Sequence, residues 1–140
     1  MSTSSNGANA DLDANRADYD AVVIGAGFGG MYALYHLRNL GLSVRAFDGA
    51  GGVGGTWWWN RYPGARVDIP SAPFYAYTFS EELAQEFDWT ERQPAQAEVL
   101  AYLEYAAHKF DLRRDIELST WIENASFDED RKSTRLNSSH

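Results

Sequence analysis

Ala21-Val22-Val23-Ile24-Gly25-Ala26-Gly27-Phe28-Gly29-Gly30 runs from an apolar stretch straight into a G-x-G-x-x-G pattern. The apolar stretch reads as a buried parallel strand, and the glycines as the tight turn that opens a helix. Gly25 permits that turn, Gly27 has no Cβ to block phosphates, and Gly30 lets the helix pack close to the sheet. The helix then offers unpaired N–H groups and the positive end of its dipole to an anion. Met31, Leu34, Leu37 and Leu40 recur at three-residue steps, which predicts one apolar face. Gly41 is expected as the C-terminal cap. Ser43–Phe47 reads as a second parallel strand that delivers Asp48, an acid suited to ribose hydroxyls. Strand, helix, strand and acid in register predict a mononucleotide-binding βαβ unit. The weaker alternative is that the glycines only punctuate turns.

A second glycine-rich run, Gly51-Gly52-Val53-Gly54-Gly55-Thr56-Trp57-Trp58-Trp59-Asn60-Arg61, follows at the distance expected of a second cofactor-facing loop. If the tryptophans lay in a strand their side chains would alternate, so at most two would share a face. At least one is expected in structural packing, because tryptophan buries large area whatever the function. Tyr62-Pro63-Gly64-Ala65 predicts a turn that aims Arg66 and Asp68. The bland alternative for that pair is a surface ion pair contributing little.

Composition narrows the classes. At 140 residues the chain can bury one modest core, and alternating helix and strand patterns predict an α/β fold. A net charge of −8 with no basic stripe argues against nucleic acid. The absence of cysteine excludes disulfides, thiolate nucleophiles and Cys-based metal sites. His36 and His108 fall on helix surfaces, and no metal site is predicted. No stretch approaches the roughly 18 apolar residues of a membrane helix. Residues 1–18 are polar and acidic, unlike a secretory signal, and read as a disordered leader in a cytoplasmic protein.

From Tyr19 to about Asp128 the chain resembles the N-terminal part of the type I Baeyer–Villiger monooxygenases. The likeness rests on Gly25–Gly30, on the run from Gly54 through Arg61-Tyr62-Pro63-Gly64-Ala65-Arg66-Val67-Asp68, and on Tyr75–Ser80 and Trp89–Arg92. It implies part of a Rossmann-like FAD-binding domain with a parallel sheet, in an FAD- and NADPH-dependent enzyme that uses oxygen to turn ketones into esters or lactones. It implies pyrophosphate contact at the glycine loop, Gly29 included, and ribose contact at Asp48, where glutamate is more usual. It sets Gly55, Thr56, Trp57, Trp58 and Trp59 along the flavin, with Tyr75 as a further FAD contact and Ile122 at the adenine through its backbone. Arg66, Val67 and Asp68 lie near the nicotinamide cofactor in that family. There Asp68 orients an arginine that lies beyond this chain, a supporting role rather than that of nucleophile or base.

Further along, helices are expected at Glu81–Phe87 and Ala95–Phe110, the latter with Val99, Leu100, Leu103 and Ala107 on one face. Strands are expected near Ile116–Leu118 and from Trp121 through Phe127. After Glu129, Asp130–His140 lacks apolar periodicity and reads as the in-frame translation of a sequencing-library adapter. Residues 19–129 are therefore expected to be the native part of a truncated FAD domain, inactive alone, and 130–140 a non-native tail. A related monooxygenase that oxidises nitrogen or sulfur is the alternative within enzymes, disfavoured by Arg66-Val67-Asp68. A non-catalytic dinucleotide-binding module is the alternative outside them, and it requires a native stop near residue 129.

Overall fold

The computed structural model describes residues 17–140, so most of the expected leader lies outside the described residues. Strand β1 (Ala21–Ile24) pairs in parallel with β2 (Val44–Phe47), Ala21 opposite Val44 and Ile24 opposite Phe47. β2 pairs in parallel with β3 (Ile116–Glu117), giving the order β1-β2-β3. Helix α1 (Phe28–Asn39) makes the crossover from β1 to β2, so the βαβ unit and the α/β class are present as the glycine pattern implied.

The end of α1 follows from Gly41. At φ +82° it donates its amide to the Arg38 carbonyl at 2.9 Å, while the Leu42 amide reaches Leu37 at 3.2 Å. That pair of bonds satisfies carbonyls the helix leaves open, in the left-handed geometry glycine adopts without strain. The expected apolar face holds only in part. Met31 and Leu34 are buried, Leu37 packs on the core edge, and Leu40 is 63% exposed. Each three-residue step falls about 60° short of a full turn, so three steps rotate the side chain to the opposite face.

Four further helices follow: α2 (Thr56–Trp59), α3 (Ser71–Phe74), α4 (Glu81–Glu86) and α5 (Gln96–Lys109). The Ser80 hydroxyl caps α4 by accepting from the Leu83 amide at 3.2 Å. α5 buries Val99, Tyr102, Leu103, Ala106 and Ala107 in the core cluster with Leu34, Ala46, Leu83 and Ile116. Leu100, expected on that face, packs from its rim. His36 and His108 are exposed on α1 and α5, as read from the sequence. No helix among the described residues is long and apolar enough to cross a membrane.

β4 (Trp121–Asp128) leaves the parallel sheet and pairs antiparallel with β5 (Ser133–Ser139). The tail, to which its sequence assigns no element, thus forms a strand. Asp128 Oδ1 accepts from the amides of Asp130 and Arg131, each at 3.1 Å, and Lys132 takes φ +51°. An aspartate-anchored turn reverses the chain whatever the apolar pattern beyond it. The backbone ladder then supplies the pairing that periodicity does not.

Candidate functional site

The two glycine loops meet backbone to backbone at the carboxyl end of the parallel sheet. The Gly54 amide donates to the Ala26 carbonyl at 2.9 Å. A Cβ on Gly55, at φ +55°, would stand 3.0 Å from the Gly27 Cα, and one on Gly27 would stand 3.4 Å from the Gly55 Cα. A Cβ on Gly30 would fall 2.0 Å from the Gly25 carbonyl oxygen, which explains the close passage of α1 over β1. Gly29 faces open space at the first turn of α1. The absent Cβ of Gly55, at a positive φ and 3.0 Å from the Gly27 Cα, therefore serves contact between the loops, a use that the motif alone does not reveal.

Asp48 ends β2 and holds this corner together. Its Oδ2 accepts from the Ala26 amide at 2.6 Å and its Oδ1 from the Ala50 amide at 2.8 Å. Its own amide donates to Glu117 and its carbonyl accepts from Thr120, both at 2.9 Å. An aspartate is short enough to brace both turns, and a carboxylate oxygen that accepts one amide keeps a lone pair for a ligand hydroxyl. Ile122, on β4, pairs with Ser138 and lines a hollow with Val22 and Phe47.

The tryptophans lie in one helical turn, not in an alternating strand, and they point three ways. Trp57 is buried, its Nε1 donating to the Tyr75 hydroxyl at 3.0 Å, and its carbonyl accepts from Gln96 Nε2. Trp58 lies over Gly51 and Gly52, where a Cβ on Gly52 would meet the ring at 2.2 Å, and carries the Arg61 guanidinium 4.5 Å above its centroid. Trp59 is 56% exposed and lies beside Trp121, ring centroids 6.3 Å apart. Glycine spacers permit the helical turn, since Gly54 (φ +132°) and Gly55 take backbone that other residues resist. Thr56 is exposed at its start. Trp57 is the structural wedge expected of at least one of the three.

Ala65–Asp68 runs antiparallel beside Gln93–Gln96. The Val67 amide donates to Pro94 at 3.1 Å, the Gln96 amide to Ala65 at 2.8 Å, and Gln93 Nε2 to the Asp68 carbonyl at 2.8 Å. Gly64, at φ +82°, makes the expected turn before it. Val67 is buried, while Arg66 and Asp68 face outward. Arg66 does not pair with Asp68: its Nη1 binds Glu91 at 2.8 Å and the Gln93 carbonyl at 2.9 Å. Neighbours two apart in extended chain point to the same side without touching, whereas Glu91 lies across from Arg66. Among the described residues no cation pairs with the Asp68 carboxylate.

Tyr75 closes the group from below, its ring edge-on to both Phe28 and Trp57. A hollow of about 270 Å³ opens beside it, lined by Phe28, Phe74, Tyr75 and Ala76. Tyr77, not singled out from sequence, donates its hydroxyl to the Phe28 carbonyl at 2.6 Å and its amide to the Tyr102 hydroxyl at 2.8 Å. Burial first, then the Tyr102 hydroxyl, pushes its phenol well above the usual tyrosine range, so it stays a neutral brace for the glycine loop. Tyr75, Tyr77 and Phe79 alternate as the residues of a strand would, but the segment forms no strand, so that period did not reveal the role of Tyr77.

Comparison with known proteins agrees with this geometry. Residues 23–88 match the NAD(P)-binding Rossmann-like domain family. The acetone monooxygenase (methyl acetate-forming) of Gordonia sp. (strain TY-5) is 55% identical over 80% of this chain and 21% of its own length. A Baeyer–Villiger monooxygenase of Pseudooceanicola batsensis is 51% identical over 81% of this chain and 21% of its own. The phenazine N-monooxygenase PhzNO1 of Lysobacter antibioticus is 50% identical over 84% and 22%. Among solved structures, an oxidized steroid monooxygenase bound to NADP superposes with a TM-score of 0.83 at 52% identity, over 86% of this chain and 23% of that one. The chain thus resembles the Baeyer–Villiger monooxygenases in sequence and fold, and spans about a fifth of the length of these relatives.

Proposed function

We propose that these residues are the FAD-holding portion of an NADPH-dependent flavin monooxygenase that converts ketones to esters or lactones. The observation that carries the reading is the pair of glycine loops docked at the carboxyl end of the parallel sheet, with Asp48 bracing both turns. That end of an open parallel sheet is where nucleotide ligands bind. The residues fit a dinucleotide: Gly29 leaves open space before the α1 amides for a pyrophosphate, and Asp48 offers acceptors for ribose hydroxyls. A bound FAD would supply the redox and oxygen chemistry, with NADPH as its reductant.

This chain's part is binding and positioning. Gly25, Gly27 and Gly30 shape the turn, and Gly55 and Thr56 present the second loop. Trp57, held by Tyr75 and Gln96, keeps that loop from shifting. Val67 anchors the strand that offers Arg66 and Asp68, whose outward carboxylate is suited to orient a cation supplied by a longer protein. The relatives' greater length supports reading catalysis as a property of that longer protein, with ketone and oxygen as its substrates.

A gene carrying these residues at its 5′ end should encode a protein whose purified form consumes NADPH in proportion to ketone and oxygen. Consumption that ignores every ketone but follows an aromatic N-heterocycle would favour the second reading, an N-oxidising enzyme. The 50% identity to a phenazine N-monooxygenase keeps that reading open.

A further inference from the structure

We propose that Trp121, braced by Trp59, is the stacking surface for the adenine ring of an adenosine nucleotide held at Asp48. The inference rests on the dinucleotide reading above and adds to it the residue that grips the base. Trp121 is 57% exposed and Trp59 56% exposed, the planes of the pair 30° apart. Tryptophan normally buries most of its large apolar face, and adjacent exposed indoles mark a contact surface.

Their place selects the ligand. The Trp121 indole lies on Gly49, where a Cβ would fall 2.3 Å from Cε2, so no other residue fits beneath it. Gly49 directly follows Asp48. The Thr120 amide on the Asp48 carbonyl, 2.9 Å, and the Ser119 amide on the Ala50 carbonyl, 2.8 Å, fix the backbone that leads into Trp121. A carboxylate that takes ribose hydroxyls puts the base, one glycosidic bond away, next to this indole. The other end of a dinucleotide lies beyond the pyrophosphate, on the far side of the glycine loop. Adenine therefore meets Trp121 first, and Trp59 serves the adenosine end, not the flavin. A flat purine stacks on an indole face without needing a hydrogen-bond code.

The test titrates ADP into the 140-residue chain, followed by calorimetry and tryptophan emission. ADP should bind and quench emission. Trp121→Phe should keep affinity within about threefold, and Trp121→Ala should lose roughly tenfold or more. Trp121→Leu keeps apolar bulk over Gly49 without an aromatic face, and should lose affinity like Trp121→Ala while keeping the parent melting temperature; it decides the matter if the alanine variant unfolds. ADP bound equally by the parent and Trp121→Leu overturns the stacking role and leaves the nucleotide reading standing. No ADP binding by the parent chain overturns both.

Discussion

Gly29 and Gly30 are adjacent in sequence and opposite in consequence. A methyl at Gly30 meets the Gly25 carbonyl oxygen at 2.0 Å and its carbon at 2.8 Å, backbone atoms that cannot turn aside. Gly30→Ala should therefore destabilise the chain by about 1–3 kcal/mol, seen as a lower urea midpoint. Gly29 meets nothing within 4 Å inside the first turn of α1, so Gly29→Ala should be neutral or gain up to about 1 kcal/mol in helix propensity. Equal losses at both positions would show that α1 does not pass over β1 in this way. Asp68 belongs to the same scale but to chemistry. In a longer protein Asp68→Ala should leave FAD bound, slow ketone oxygenation by about 2–4 kcal/mol in barrier, and divert NADPH to hydrogen peroxide. A coupled rate within about threefold of the parent, the size expected of an exposed charge contact, would refute a positioning role.

At the scale of elements, α5 and α4 are joined by a polar cluster at their rim. Lys109 Nζ reaches both Glu86 oxygens at 2.9 and 2.8 Å, and the Tyr105 hydroxyl donates to Glu86 Oε2 at 2.7 Å. The Lys109 and Tyr105 hydrogen bonds hold the Glu86 carboxyl below its ordinary value, and Glu86 holds the Lys109 ammonium above its own. A depressed carboxylate contributes stability above its unfolded value and loses it as pH falls through the folded one. A raised lysine contributes below its unfolded value and loses it as pH rises through the folded one. The cluster should therefore support α4 on α5 across neutral pH and fail toward both acid and strong alkali. Glu86→Gln should flatten the acid limb of urea midpoints measured against pH, and added salt should shrink the difference, since Glu86 and Tyr105 are exposed. An unchanged acid limb would show that the contact carries no linkage.

The sequence announces elements best where one period governs. β1, α1, β2 and the ends of α5 follow from apolar runs and glycine stops. Tyr102 and Ala106, both 1% exposed, escape the α5 pattern because a tyrosine and an alanine carry weak apolar signals, yet they fill the centre of the core. The helical turn at Thr56–Trp59 is hidden for another reason. Four residues hold too little periodicity to tell helix from strand, and the positive φ of Gly54 and Gly55 decides it. The site divides likewise: the acid and glycines are legible in sequence, but the docking of one loop on the other is tertiary.

Over the whole molecule, the core ends before the hairpin begins. The cluster that includes Met31, Leu34, Leu83, Val99, Tyr102, Leu103 and Ile116 takes no residue beyond Leu118. β4 and β5 expose both faces, Phe127 at 57%, and border a hollow of about 540 Å³ beside Val22 and Ile24 on the open edge of β1. That edge presents unpaired backbone and two exposed branched side chains, a template for another strand. A lone two-stranded hairpin is marginal in water, so β5 adds little to the stability of the parallel unit. Its contact back to the sheet corner is the approach of His140 Nδ1 to Thr120 Oγ1 at 3.1 Å. Deleting residues 130–140 should leave the unfolding free energy of the rest within about 1 kcal/mol, since no residue of the tail belongs to the core cluster and the Thr120–His140 hydrogen bond is of ordinary size. It should also uncover more of the β1 edge and raise self-association, read by sedimentation. A cooperative loss of several kcal/mol on deletion would mean that the hairpin is part of the folding unit.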